Sequence, residues 1–193
     1  MRRISALMLV SAIILTGCGV DRLLSSPSTV TVTDLPSQST AKLPPNAPTA
    51  AYGGLLKKIG ESAVFTANGV PILSFTVNEI AVNRCPSTTA PEPPQHGTYI
   101  VIDITAQTYS EEIVLDWHHI FMAWYWQVIG PDAYVDTHVD TSNTYTCDDV
   151  HPPSTFGLNS KYRFQVVLDS KFDSGQVVFR PAGLSNGWVW DIP

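Results

Sequence analysis

The sequence is poor in charge, in basic residues and in long apolar runs. Charged residues make up 15% of the 193 positions, against about 25% in an average soluble protein. Lys and Arg number only 11 and the net charge is −6, so a surface for nucleic acid, which needs clustered basic residues, is not expected. Helical periodicity is weak throughout. These shortages exclude a coiled coil, a polytopic membrane protein and a basic DNA-binding protein.

The N-terminus has the parts of an export signal. Arg2 and Arg3 precede an uncharged, mostly apolar run over residues 4–15. As a helix this run would span about 18 Å, short of the ~30 Å hydrocarbon core of a bilayer. The pattern is therefore typical of a signal peptide and not of a membrane-spanning anchor.

The end of that run resembles the lipobox of bacterial lipoproteins, in the tetrad Leu15-Thr16-Gly17-Cys18. The resemblance implies that residues 1–17 are a signal peptide and that Cys18 is lipidated. The membrane contact would then be the lipid, and the protein would sit on the extracytoplasmic face of the cell membrane. The alternative is a plain secreted protein in which this cysteine carries no lipid.

Residues 18–60 follow as a segment rich in Ser, Thr, Pro and Ala. Such a composition buries too little apolar surface to offset ordering entropy, and it predicts a flexible linker with a reach of roughly 35 Å. The alternation at Val30–Thr33 is brief, and residues 52–59 are predicted to form a transient turn and not a packed helix.

Residues 61–193 have the sequence pattern of a strand-rich domain. Thr98–Thr108 alternates apolar and polar residues, and Tyr162–Leu168 does the same. Ile72–Val82 is a further predicted strand, and its alternation of apolar positions slips by one residue near Glu79, which predicts a bulge or a crossing between sheets. Further strands are predicted at residues 64–66, 117–129, 177–179 and 188–192. The fold class is therefore all-β, an antiparallel β-sandwich of about seven strands.

Cysteine usage agrees with an exported domain. With Cys18 assigned to lipid, Cys85 and Cys147 remain, and a disulfide between them is expected outside a reducing cytosol. The bridge would join two loops at one end of the sandwich. Two free thiols that bind metal are the alternative, but no CxxC pair supports it.

The strand patterns together resemble a known family. They are Asn68-Gly69-Val70, Phe75-Thr76-Val77, the run Gly97–Ile104, Tyr162–Val166 and Gly187–Asp191. Over about residues 60–193 the chain is similar to the immunoglobulin-like, telokin-like extracellular domain of unknown function on Gram-positive and actinobacterial lipoproteins. That group is related to a secreted mycobacterial immunoprotective antigen. The resemblance implies an immunoglobulin-like sandwich and export, and no assigned reaction.

Alternating carboxylates and a histidine define a candidate metal site. Asp136, His138 and Asp140 would share one face of a strand. Carboxylate and imidazole ligands of this kind suit Ca²⁺ or Zn²⁺, and the sequence does not separate the two. The alternative is a solvated polar face of a hairpin.

Aromatic residues concentrate in the predicted strand 117–129. Trp124 and Trp126 would share one face of this strand, and Trp117, Phe121 and Tyr125 the other. Only one face of a sandwich strand lies in the core, so an exposed aromatic row around Trp117, Trp124 and Trp126 would be a binding face for sugar, lipid or protein. The alternative is that loops of the same chain cover it.

No motif for nucleophilic catalysis or phosphate binding is present in the sequence, which lacks Gly-x-Ser-x-Gly and a Gly-rich phosphate loop. The predicted function is noncatalytic binding in the cell envelope, without a cofactor, to an unknown envelope protein or small ligand. The alternative is a small-ligand or divalent-metal binding lipoprotein, and a hydrolase of envelope polymers is less supported.

Overall fold

Ten strands form two five-stranded sheets in a computed structural model that describes residues 30–32, 53–67, 69–87, 90–109, 119–147, 150–181 and 187–193. The strands are β1 (Val30–Val32), β2 (Leu55–Lys57), β3 (Ser62–Ala67), β4 (Val70–Val82), β5 (Thr98–Thr108), β6 (Trp126–Ile129), β7 (Val135–Asp136), β8 (Lys161–Ser170), β9 (Gln176–Phe179) and β10 (Trp188–Asp191). A single helical turn, α1, spans Thr144–Cys147. The predicted all-β sandwich is confirmed, and the immunoglobulin-like topology stays a prediction.

The first sheet has the order β1-β3-β4-β5-β8 and the second β2-β10-β9-β6-β7. Neighbouring strands are antiparallel except β2 and β10, which pair in parallel with Leu55 opposite Trp188. No helix among the described residues is long and apolar enough to cross a membrane.

The domain begins earlier than the sequence predicts. Leu55–Lys57 belongs to the second sheet, and the turn predicted there is wrong because the segment pairs with β10. Val30–Val32 pairs with β3, with Val32 opposite Phe65. A three-residue strand is too short to show a period, so both strands were hidden in the predicted linker. The predicted signal peptide, Cys18 and the other linker residues lie outside the described residues.

Two irregular features of the first sheet follow the sequence pattern. Gly69 joins β3 to β4 with φ +81°, a conformation that glycine adopts without steric cost. The predicted slip near Glu79 is a break in register between Val77 and Glu79, opposite Ile104 and Asp103. The extra residue turns the alternation of β4 by one position, so apolar residues on both sides of it stay in the core.

The core between the sheets is dominated by aromatic rings. Phe75 lies near its centre, with ring centroids 5.2 Å from Phe121, 5.4 Å from Phe179 and 5.1 Å from Trp188. Trp126 stacks on Phe179 at 4.6 Å. Such edge-to-face and stacked pairs add to the area that each ring removes from water.

The predicted strand over 117–129 is wrong at its N-terminal part. Of the described residues 119–129, only Trp126–Ile129 is a strand, and a 3₁₀ helix over Ala123–Tyr125 precedes it. His119 has φ +69°, a left-handed conformation that breaks an extended chain. The prediction that Trp124 and Trp126 share one face of a strand is therefore wrong.

Candidate functional site

A pocket of about 220 Å³ opens beside β8, the edge strand of the first sheet. Val166 faces the core between the sheets and Val167 packs in a separate cluster on the outer face, yet both line the pocket. The pocket therefore lies at the open edge of the strand. Its walls come from the 3₁₀ helix, α1 and two loops: Met122, Ala123, Asp140, Thr144, Tyr145, His151, Pro152, Val166 and Val167.

Asp169, a residue of β8, holds the neighbouring loops against that strand beside the pocket. Its buried carboxylate accepts hydrogen bonds from the amides of Gln95 (2.6 Å) and His96 (2.9 Å) and from the Thr141 hydroxyl (2.8 Å). Its own amide donates to the Val139 carbonyl at 2.9 Å. The sequence places Asp169 on the polar face of β8, and the structure covers that face with an outer layer of loops.

The disulfide closes this outer layer. Cys85 and Cys147 lie at disulfide distance as predicted, with Cα atoms 5.1 Å apart. They pack with Tyr99, Val101 and Val167 in a small cluster outside the first sheet. The bridge ties the end of α1 to the segment after β4, so the α1 wall of the pocket is held in place.

One side of the pocket mouth is polar. Asp140 accepts no hydrogen bond from a described residue, and partial burial raises the pKa of its carboxyl above the ordinary value. Burial also raises the pKa of the Tyr145 hydroxyl, and the nearby charge of Asp140 adds to the shift. The rings of Tyr145 and His151 lie 6.3 Å apart.

Backbone groups at the edge of β8 are directed away from β5. The amides of Gln165 and Asp169 donate away from β5, to the carbonyls of Val150 (2.8 Å) and Val139 (2.9 Å). Because backbone groups alternate in direction along an antiparallel strand, the N–H and C=O of Val167 also point away from β5. Neither group has a hydrogen-bond partner among the described residues.

The aromatic residues of the predicted binding face separate in the structure. Trp124 is 47% exposed and follows Ala123, a residue of the pocket wall. Trp126 is fully buried and its indole nitrogen donates to the Phe121 carbonyl at 3.2 Å, so its assignment to an exposed face is wrong. Trp117 lies outside the described residues.

The residues of the predicted metal site do not come together. No group of three or more His, Cys, Asp or Glu in the described part of the chain is placed to hold a metal ion. Asp136 is buried and accepts from the Ser170 hydroxyl (3.0 Å) and the amides of His138 (3.3 Å) and Lys171 (3.3 Å). His138 and Asp140 are exposed. Strand β7 ends at Asp136, so the alternation that would align the three side chains is lost.

Comparisons with protein-family models, with curated proteins and with solved structures find no match to this chain. The resemblance to the telokin-like domain stays a prediction.

Sequence analysis missed most of the pocket. Met122, Thr144 and Pro152 carry no motif and come from segments far apart in the chain. Asp140 was assigned to the predicted metal site, the neighbouring Trp124 to the predicted aromatic face, and Val166 and Val167 to a predicted strand. The one usable signal was the disulfide, which brings residue 147 to the outer face of the first sheet.

Proposed function

We propose that this protein is an exported lipoprotein, anchored through Cys18 at the extracytoplasmic face of the cell membrane, with a noncatalytic binding role in the cell envelope. The N-terminal pattern supports the anchor. The pocket at the edge of β8, with exposed aromatic residues beside it, supports the binding role and is the observation that carries it.

The surface around the pocket has the composition of a binding site. Trp124 is 47% exposed and Tyr145 54% exposed, although large aromatic side chains gain most from burial. Tyrosine and tryptophan are enriched among the residues that dominate binding energy at protein interfaces. A rigid sandwich held near the membrane would present this surface at high local concentration.

The proposal is tested by crosslinking in intact cells, followed by affinity purification and mass spectrometry. We expect one dominant envelope partner with the unaltered protein and its loss with Cys18→Ala, which removes the anchor. We also expect Trp124→Ala to lose the partner and Tyr134→Ala to keep it. Tyr134 is the matched control because it is 70% exposed and does not line the pocket.

Three outcomes contradict parts of the proposal. Equal membrane retention of the unaltered protein and Cys18→Ala would overturn the lipid anchor. Equal capture of the partner by Trp124→Ala and by the unaltered protein would remove the pocket surface from the binding role. If no protein is captured, the binding role passes to a small ligand, and the envelope-protein partner is rejected.

A further inference from the structure

The size of the pocket beside β8 limits what can enter it. Its volume of about 220 Å³ is below the roughly 300–1,000 Å³ of pockets that enclose a whole drug-sized ligand. The pocket therefore has room for one side chain or a small organic group, and the remainder of a larger ligand would lie on the surrounding surface.

The pocket wall combines an apolar body with one carboxylate. Met122, Pro152 and Val166 offer apolar surface to an alkyl stem, which lowers its free energy by removing it from water. At the mouth, Asp140 has no hydrogen-bond donor among the described residues. A carboxylate beside apolar surface attracts a cation more strongly than one in bulk water. The net charge of −6 also favours a positively charged ligand.

The surroundings of the pocket favour a polypeptide over a free amine. The backbone N–H and C=O of Val167, which lack partners in the described part of the chain, can pair with a peptide group. A small free amine offers no peptide group and no apolar surface for Trp124 and Tyr145. A partner polypeptide offers both.

We propose that the pocket binds the protonated side chain of a lysine from a partner polypeptide, with the alkyl stem between Met122, Pro152 and Val166 and the ammonium at Asp140. This inference rests on the proposed binding function and names the chemistry of the partner. Lysine fits this wall because its stem is apolar up to a compact ammonium. A guanidinium has five N–H donors, and one carboxylate beside an apolar wall leaves several of them without an acceptor.

The test is an NMR titration of the full chain in detergent with two capped tripeptides, acetyl-Gly-Lys-Gly-amide and its neutral analogue with norleucine in place of lysine. We expect saturable shifts of the amides of Thr144, Val166 and Val167. The lysine peptide should bind about tenfold more tightly than the norleucine peptide, because only its ammonium pairs with Asp140.

Substitutions identify the group responsible. Asp140→Asn should remove the preference for lysine, whereas Asp132→Asn, an exposed acid outside the pocket wall, should leave it unchanged. The proposal is overturned by equal affinity for the two peptides, by a preference that survives Asp140→Asn, or by no saturable shift up to the solubility limit. Tighter binding of spermidine than of the lysine peptide would assign the pocket to free polyamines and reject the polypeptide.

The titration is independent of the crosslinking experiment in cells. A partner captured through Trp124 with no lysine preference in the titration would retain the binding function and reject the lysine. A lysine preference without any captured partner would retain the pocket chemistry and reject the envelope-protein partner.

Discussion

At the scale of single residues, Trp124 and Trp126 are chemically identical but have opposite environments. Trp126 is fully buried against Phe179, and Trp124 is 47% exposed on the 3₁₀ helix. Trp126→Ala should therefore lower the free energy of unfolding by about 3–5 kcal/mol, because it leaves a large cavity in the core. Trp124→Ala should change it by less than about 1 kcal/mol.

Chemical denaturation with urea measures both free energies. The Trp124→Ala variant must also keep the near-UV circular dichroism of the core aromatic residues for its binding phenotype to be interpreted. A loss of stability in Trp124→Ala as large as that in Trp126→Ala would place both side chains in the core and contradict the exposed position.

Asp103 and Arg163 form an ion pair on the outer face of the first sheet, with 2.8 Å between Oδ2 and the guanidinium. Burial alone would raise the pKa of the Asp103 carboxyl, but hydrogen bonds from Arg163 and Asn78 outweigh it and hold that pKa below its ordinary value of 3.8. The pair therefore contributes stability at neutral pH, and the contribution is lost as pH falls through the lowered pKa.

Arg163→Met should reduce the melting temperature slightly at pH 7, because the Arg163 side chain is largely exposed and solvent screens its charge. The difference from the unaltered protein should shrink steadily below about pH 4, where Asp103 takes up a proton in the unfolded and then in the folded state. A difference that is constant from about pH 7 to about pH 2 would show that the substitution acts through packing and not through charge.

At the scale of elements, sequence reasoning succeeded where the alternation was long. β5 and β8 have 11 and 10 residues, and both strands were predicted from their alternation of apolar and polar residues. The bulge at Asn78 was also visible, because one inserted residue shifts every following side chain to the other face. β1 and β2 have three residues each and show no period.

The pocket could not be predicted for a different reason. Its wall joins residues near 122, 140, 145, 151 and 166, which only the three-dimensional arrangement brings together. The metal prediction failed because it assumed a strand that continues past Asp136, whereas β7 ends there and the Asp136 carboxylate accepts hydrogen bonds from Ser170 and Lys171. Local pattern does not show where a strand meets a neighbouring element.

The disulfide is the feature of the outer layer that is simplest to remove. It closes a separation of 62 residues, for which the loss of unfolded-state entropy corresponds to about 4 kcal/mol. The double variant Cys85→Ser, Cys147→Ser should lose stability of that order. Because α1 loses its link to the segment after β4, binding of the lysine peptide should weaken as well.

Urea denaturation and hydrogen exchange measure these two effects of removing the disulfide. In the double variant, hydrogen exchange should increase first at the amides of residues 90–97 and 139–147. The amides that join β4 and β5 should stay protected. Uniform loss of protection throughout the sandwich would show that the outer layer and the core unfold as one unit.

β1 covers the free edge of β3, which would otherwise expose unpaired backbone groups. Proline at Thr31 and Val32 removes two backbone donors and should detach this strand. We expect faster hydrogen exchange at the β3 amides that face β1 and unchanged exchange at those that face β4. Ser39→Pro is the control for adding proline elsewhere in the predicted linker, and equal exchange in both variants would contradict the pairing.

At the scale of the whole molecule, the pairing of β1 changes how far the sandwich can stand from the membrane. With the lipid on Cys18, as proposed, only residues 19–29 separate the anchor from β1, and a fully extended chain of that length spans at most about 40 Å. If β1 were detached, residues 19–54 would precede β2 and could span up to about 130 Å. Pairing of the three residues of β1 therefore sets the maximum length of the tether between the lipid and the sandwich.

Neutron reflectometry of the lipidated protein on a supported bilayer measures this distance. The near edge of the sandwich should lie within about 40 Å of the bilayer surface in the unaltered protein, and its distribution should broaden outward in the variant with proline at Thr31 and Val32. Ser39→Pro should match the unaltered protein. Identical profiles for all three would show that β1 does not restrain the tether. A short tether would confine the pocket beside β8 to partners at the membrane surface, and a long one would let it reach deeper into the envelope.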